Sequence, residues 1–177
     1  MTVSVPRAAL AALGLAALLA GCASDKGQPA CPGGVIPSDA SKITRFRDGT
    51  GRDLTDVIAE GTIQDILVQC KYAKKLVDVD LQIAIVAARG PADRSRVAEF
   101  EYFVAIVDPQ QNIIAKQPFT IRFEFSDNRT QLGAIEQIEP KLPLPDPSKG
   151  DQYKILVGFQ LTADELAWNR SQSTKEQ

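Results

Sequence analysis

The stretch Leu76-Val77-Asp78-Val79-Asp80-Leu81-Gln82-Ile83-Ala84-Ile85-Val86 decides the fold. Val77, Val79, Leu81, Ile83 and Ile85 recur at every second position, with Asp78, Asp80, Gln82 and Ala84 between them. A period of two places the two sets on opposite faces of an extended chain, which is the pattern of a half-buried strand. Working backward, residues 63–72 place Ile66, Val68 and Cys70 on one face. The short Ala73-Lys74-Lys75 connection then predicts an antiparallel hairpin.

Forward of the hairpin, Arg89-Gly90-Pro91-Ala92-Asp93 has turn chemistry, and residues 97–107 resume the alternation through Phe100, Tyr102, Val104 and Ile106. Asp108-Pro109-Gln110-Gln111-Asn112 turns the chain again before Phe119, Ile121, Phe123 and Phe125 alternate with Thr120, Arg122 and Glu124. Pro118 marks an edge, a bulge or a strand start there. Further strands are expected at 131–138 and 153–161, with a weak one over Ile43 to Phe46. About seven antiparallel strands with turn signals between them predict an all-β fold, a sandwich of immunoglobulin or fibronectin-III type without the Cys-Trp-Cys hallmark of antibody domains.

Two segments carry helical spacing instead. Thr162-Ala163-Asp164-Glu165 has capping-box form and opens a short C-terminal helix through Leu166, Ala167 and Trp168, expected to close the sandwich. Asp53 to Glu60 spaces Leu54, Val57 and Ile58 for a turn or two of helix before Gly61. Residues 171–177 are polar and are expected to be a disordered tail.

The amino terminus is of another kind. Arg7 precedes residues 8–20, all of them Ala, Leu or Gly, and Leu19-Ala20-Gly21-Cys22 closes the run. Thirteen apolar residues at about 1.5 Å each cover roughly 20 Å, short of the ~30 Å core of a bilayer, so the run reads as a removable leader and not as a span. The tetrapeptide resembles the lipobox of bacterial lipoproteins, and the layout as a whole resembles envelope lipoproteins of proteobacteria. The resemblance implies a signal peptide over 1–21, cleavage before Cys22, and a Cys22 carrying diacylglyceryl and acyl chains such as palmitate. Ala23 and Ser24 follow, with no Asp directly after the cysteine, a pattern similar to lipoproteins forwarded to the outer membrane. The expected location is therefore the cell envelope, anchored by lipid and facing the periplasm, with the outer membrane favoured. Residues 22–34 are rich in Gly and Pro and read as a lipidated flexible tether, leaving 35–170 as one sandwich domain.

With Cys22 assigned to lipid, Cys31 and Cys70 remain, 39 positions apart, and an oxidising compartment predicts that they pair as a disulfide. Other readings are a buried free Cys70 with a stray Cys31, or an intermolecular link. A two-Cys metal site is a poor alternative because no histidine or second thiol pair completes a tetrahedral shell, so no metal and no cofactor is expected.

The chain contains no histidine, which removes the Ser-His-Asp and Cys-His arrangements and the commonest general base, and no catalytic residue is assigned. Asp78 and Asp80 point the same way two residues apart, but they alternate with an apolar row and read as a solvated face. Loss of Arg7 with the leader takes the formal charge from −2 to −3, which argues against a nucleic-acid partner.

Some strands are apolar on both faces. Ala84, Val86 and Ala88 lie opposite the Val77 row, and Phe103, Ala105 and Val107 lie opposite the Phe100 row. An outward face in a small sandwich is ordinarily polar, so something is expected to cover these rows: the C-terminal helix with Leu166 and Trp168, the 141–152 connection, or another molecule. Val86, Phe103, Ala105, Val107 and Trp168 are thus the candidate interaction or helix-packing surface, with Val86 and Ala105 as neighbours of Phe103. The expected function is a non-catalytic binding or structural module, lipid-anchored in the envelope, with an envelope protein as partner. The alternative is a small carrier or chaperone for a lipid or other apolar ligand held within the sandwich.

Overall fold

The computed structural model describes residues 31–49, 51–74, 76–144 and 146–174. The leader, Cys22 and the first part of the tether lie outside these residues. Among those described, nine strands form two sheets: β1 (Gly33–Val35), β2 (Lys42–Phe46), β3 (Val57–Ala73), β4 (Leu76–Arg89), β5 (Val97–Val107), β6 (Ile113–Glu124), β7 (Gln131–Ile138), β8 (Lys141–Pro143) and β9 (Lys154–Phe159). A single α-helix, α1 (Ala163–Ser173), follows them. One sheet runs β1-β9-β5-β6, and the other runs β2-β3-β4-β7 with β8 also pairing with β4. The expected sandwich is therefore present. Its connectivity is its own, because the β2-β3-β4 meander stays in one sheet, whereas immunoglobulin connectivity sends its third strand across to the other.

The alternation that organises β4 is realised in full. Val77, Val79, Leu81, Ile83, Ile85 and Ala87 are all buried, and they face Phe100, Tyr102, Ile155, Val157 and Phe159 from the other sheet to make one core. The hairpin forms as the sequence implies, with β3 and β4 in antiparallel register from Ala59↔Arg89 to Ala73↔Leu76. Gly61 is required in this core: a Cβ there would stand 2.8 Å from Ile43 and 2.9 Å from Phe159.

Four expectations change. The tether gives up Gly33 and Gly34 to β1, which pairs in parallel with β9, and the Cα of Gly34 lies so close to Ile66 and Val68 that a Cβ would collide with them. Only Leu54–Asp56 of the expected helix at 53–60 is helical, as one 3-10 turn, and Val57 already belongs to β3. The small residues Ala59 and Gly61 conceal the alternation that continues from Val57 to Ile63. The tail is ordered further than expected, since α1 continues through Ser173. The two additional strands, β1 and β8, are three-residue pieces too short to show a period.

Candidate interaction surface

One irregularity in β3 determines where the disulfide sits. Val57, Ala59, Gly61 and Ile63 are buried at odd positions, but a register shift between Ile63 and Asp65 inserts one extra residue. A bulge of this kind exchanges the two faces beyond it. Ile66, Val68, Cys70 and Tyr72 consequently pack against the core at even positions. Cys70 is thereby aimed at Cys31, and the two form a disulfide with Cα atoms 5.8 Å apart. The staple closes one end of the sandwich beside an open hollow of about 820 Å³ lined by Val68, Lys71, Asp78, Asp80, Pro140 and Lys141. In this hollow Asp78 stands opposite Lys71 and Lys141 in register, and Gln137 donates to Asp80 at 3.1 Å. Asp78 and Asp80 thus lie on a paired, hydrated face.

A second hollow, of about 400 Å³, adjoins the first through Pro140 and is lined by Val104, Ile106, Phe119, Ile138, Glu139 and Lys141. Ala115 and Gln117 of β6, in the same row as Phe119, also line it and are exposed. Deeper in, Phe119 stacks on Tyr102 at 5.4 Å, and the Tyr102 hydroxyl donates to Glu136 at 3.2 Å. Burial and the Glu136 carboxylate together push the Tyr102 phenol well above its ordinary range, so it remains a neutral donor.

The candidate apolar rows do not form one surface. Val86 lies on the outer face of the β2-β3-β4-β7 sheet, while Phe103, Ala105 and Val107 lie on the outer face of the other sheet, so Val86 is not a neighbour of Phe103. Helix α1 does not provide the expected cover for the Phe103 row. It packs on β2 and the 3-10 turn Ser38–Ala40, with Trp168 edge-on to Phe46 at 4.9 Å. The Nδ2 of Asn169 donates to the carbonyls of Asp39 and Lys42 at 2.9 and 2.8 Å, and Arg170 pairs with Asp39 at 2.9 Å. The capping box is formed in both directions between Thr162 and Glu165. Phe103 is half-buried by other means. Its ring lies beside Gly158, where a Cβ would come within 3.1 Å of it, and under the Lys116 ammonium at 4.3 Å from the ring centre. Ala105 and Val107 are buried, so this row is largely self-covered.

Large apolar residues are exposed at Ile113 and Ile114 of β6, and also on the outer face of the other sheet. Leu67 is 50 % and Ile135 71 % exposed, and in register Ile135 flanks Ala84, with Val86 two residues further along β4. At the β2 end, three arginines each meet a carboxylate: Arg45 with Glu165 at 3.7 Å, Arg47 with the buried Asp56 at 2.5 Å, and Arg52 with Asp164 at 3.9 Å. Those charges serve the packing of α1 and the 3-10 turn at Leu54–Asp56. Sequence reasoning missed the exposed Leu67 and Ile135, because a strand pattern does not reveal which outward residue lies away from a neighbour's cover. It also missed Asn169, whose role depends on a contact across more than a hundred residues.

Compared with protein-family models, with curated proteins and with solved structures, the chain matches none of them.

Proposed function

We propose that the chain is a lipid-anchored, non-catalytic binding or structural module of the bacterial cell envelope, attached through Cys22 and facing the periplasm. The single observation that carries the binding role is the contrast between the two sides of β4. Its inward row is filled by the chain's own side chains, while its outward neighbours Leu67, Ile135, Ala84 and Val86 present apolar atoms to solvent. The anchoring part is supported by Arg7 and the apolar run before Leu19-Ala20-Gly21-Cys22, and by a Cys31–Cys70 disulfide suited to an oxidising compartment. An envelope protein partner docks on the outer face of the five-stranded sheet. Photocrosslinking from position 135 in intact cells tests this. An adduct that disappears with Leu67→Asp supports the surface, whereas adducts that form only from Phe103 or not at all count against it.

A second reading is favoured by the 400 Å³ hollow, whose lining joins the apolar Val104, Ile106, Phe119 and Ile138 with Glu139 and Lys141. The apolar part of this lining suits an apolar ligand such as one acyl chain, as in a small lipid carrier. Saturable binding of a fluorescent fatty acid, abolished by Ile106→Trp, would support it.

A further inference from the structure

We infer that the free edge of β7 is a self-association surface, on which a second copy of this chain adds its own β7 antiparallel about a two-fold axis at Ala134. The inference uses only the edge and holds whether or not Cys22 carries lipid.

The phase of the hydrogen bonds is fixed by Arg89, whose N–H donates to the Thr130 carbonyl at 2.8 Å. Stepping by two along the register makes Ala87↔Leu132, Ile85↔Ala134 and Ile83↔Glu136 the bonded pairs. The N–H and C=O groups of Gln131, Gly133, Ile135 and Gln137 therefore point to the side of β7 on which no strand of the described residues lies. Val79 donating to the Pro140 carbonyl continues the same phase into β8, so the missing N–H of Pro140 faces β4 and does not blunt the free edge.

The other long edge is treated differently. Phe125 donates to the Arg96 carbonyl, which makes Phe103↔Pro118 a non-bonded pair and turns the missing N–H of Pro118 outward from β6. That is a device that discourages pairing, and β7 lacks it over residues 131–138.

Two features select a second copy as the occupant. Gly133 has no reason of its own to be glycine. Its φ is not in the left-handed region, and a Cβ would meet only Val86 at 3.7 Å and a carbonyl at 3.9 Å. A glycine inside a strand often marks a bulge, a bend or a place where another backbone or a ligand comes close. In the register centred on Ala134, Gly133 stands opposite the exposed Ile135 of the second copy, a large residue over a missing one, and this occurs twice by symmetry. The same register brings Gln131 opposite Gln137, and Arg129, just before β7, opposite Glu139, just after it, so opposite charges close both ends of the seam. Shifting the axis by one residue to Ile135 would instead set Arg129 against Lys141, a like-charge pair.

The test uses the full chain in the cells that make it. The two copies of residue 134 form a non-bonded pair with Cα atoms about 4.5 Å apart, within reach of a disulfide. Ala134→Cys is expected to give a reductant-sensitive band at twice the mass of the chain, and Thr120→Cys on β6 is expected to give none. Adding Gly133→Val should remove the band without lowering the melting temperature of the purified chain. Arg129→Glu should weaken the band, and adding Glu139→Arg should restore it. A monomeric Ala134→Cys chain with Cys31–Cys70 still paired would overturn the inference. So would a crosslinked band of any other mass, which would assign the edge to a different protein, or a band that survives both Gly133→Val and Arg129→Glu.

Discussion

The ring of Trp168 in α1 meets the ring of Phe46 in β2 edge to face, with centroids 4.9 Å apart and planes inclined at 77°. This contact, and not the Phe103 row, is where the C-terminal helix is held. The stem of Arg52 extends over the other ring, its guanidinium carbon 5.1 Å from the Phe46 centroid.

Trp168→Ala should therefore cost about 2 kcal/mol, less than for a fully buried tryptophan because Trp168 is half-exposed. Asn169→Ala should cost about 1 kcal/mol through loss of its two hydrogen bonds. Urea unfolding followed by circular dichroism measures both. Trp168 is the only tryptophan, so its fluorescence reports undocking of α1 in the Asn169 variant directly.

Phe103→Asp should cost only about 1–2 kcal/mol, because the ring is half-exposed and the new carboxylate can reach the Lys116 ammonium that now lies over the ring. The same change at Phe100, fully buried between Phe123 and Phe159, should prevent folding. Comparable losses at the two positions would mean that a covering element lies over the outer row after all.

Acid should unfold the chain in part through Asp93. Burial raises the pKa of this carboxyl, but hydrogen bonds from the Arg89 Nε at 2.6 Å and from the Ser95 N–H and hydroxyl outweigh it, leaving a net downward shift. A group whose pKa is lower in the folded chain contributes stability above its unfolded value, near 4, and that contribution is lost as pH falls through the folded value. Asp93→Asn should flatten the stability profile below about pH 4, and Asp93→Ala should cost about 2–3 kcal/mol at neutral pH by orphaning a largely buried guanidinium. Denaturant midpoints between pH 2 and 7 check both.

Reduction of Cys31–Cys70 should lower stability by roughly 4 kcal/mol, the chain-entropy value for a loop of this size. No thiol from this pair should react with an alkylating reagent before reduction, and two should react after it.

Local chemistry was the most legible part of the chain. The strict alternation of Val77 to Ile85 and of Phe100 to Ile106 gave two strands to within a few residues, and Thr162 with Glu165 marked the start of α1 because a capping box lies within four consecutive residues. The pairing of Cys31 with Cys70 was also legible, since the resemblance to a lipobox set Cys22 aside. What remained hidden depends on partners far away in sequence. Nothing in Val86 or Phe103 reveals that β4 and β5 enter different sheets, because both strands alternate alike and the crossing occurs in the turn between them. The bulge beside Gln64 was invisible because Ile63 and Ile66 are each acceptable on either face. The pairing of Gly33 and Gly34 with β9 was masked by a composition that reads as linker.

The most direct measurement is the intact mass of the chain extracted from the cells that make it. Attachment through Cys22 predicts a species that begins at Cys22 and carries diacylglyceryl and acyl chains, with a Cys22→Ala chain retaining its leader. A chain that begins elsewhere, or one whose Cys22 is unmodified, would contradict the lipid anchor and the envelope role built on it.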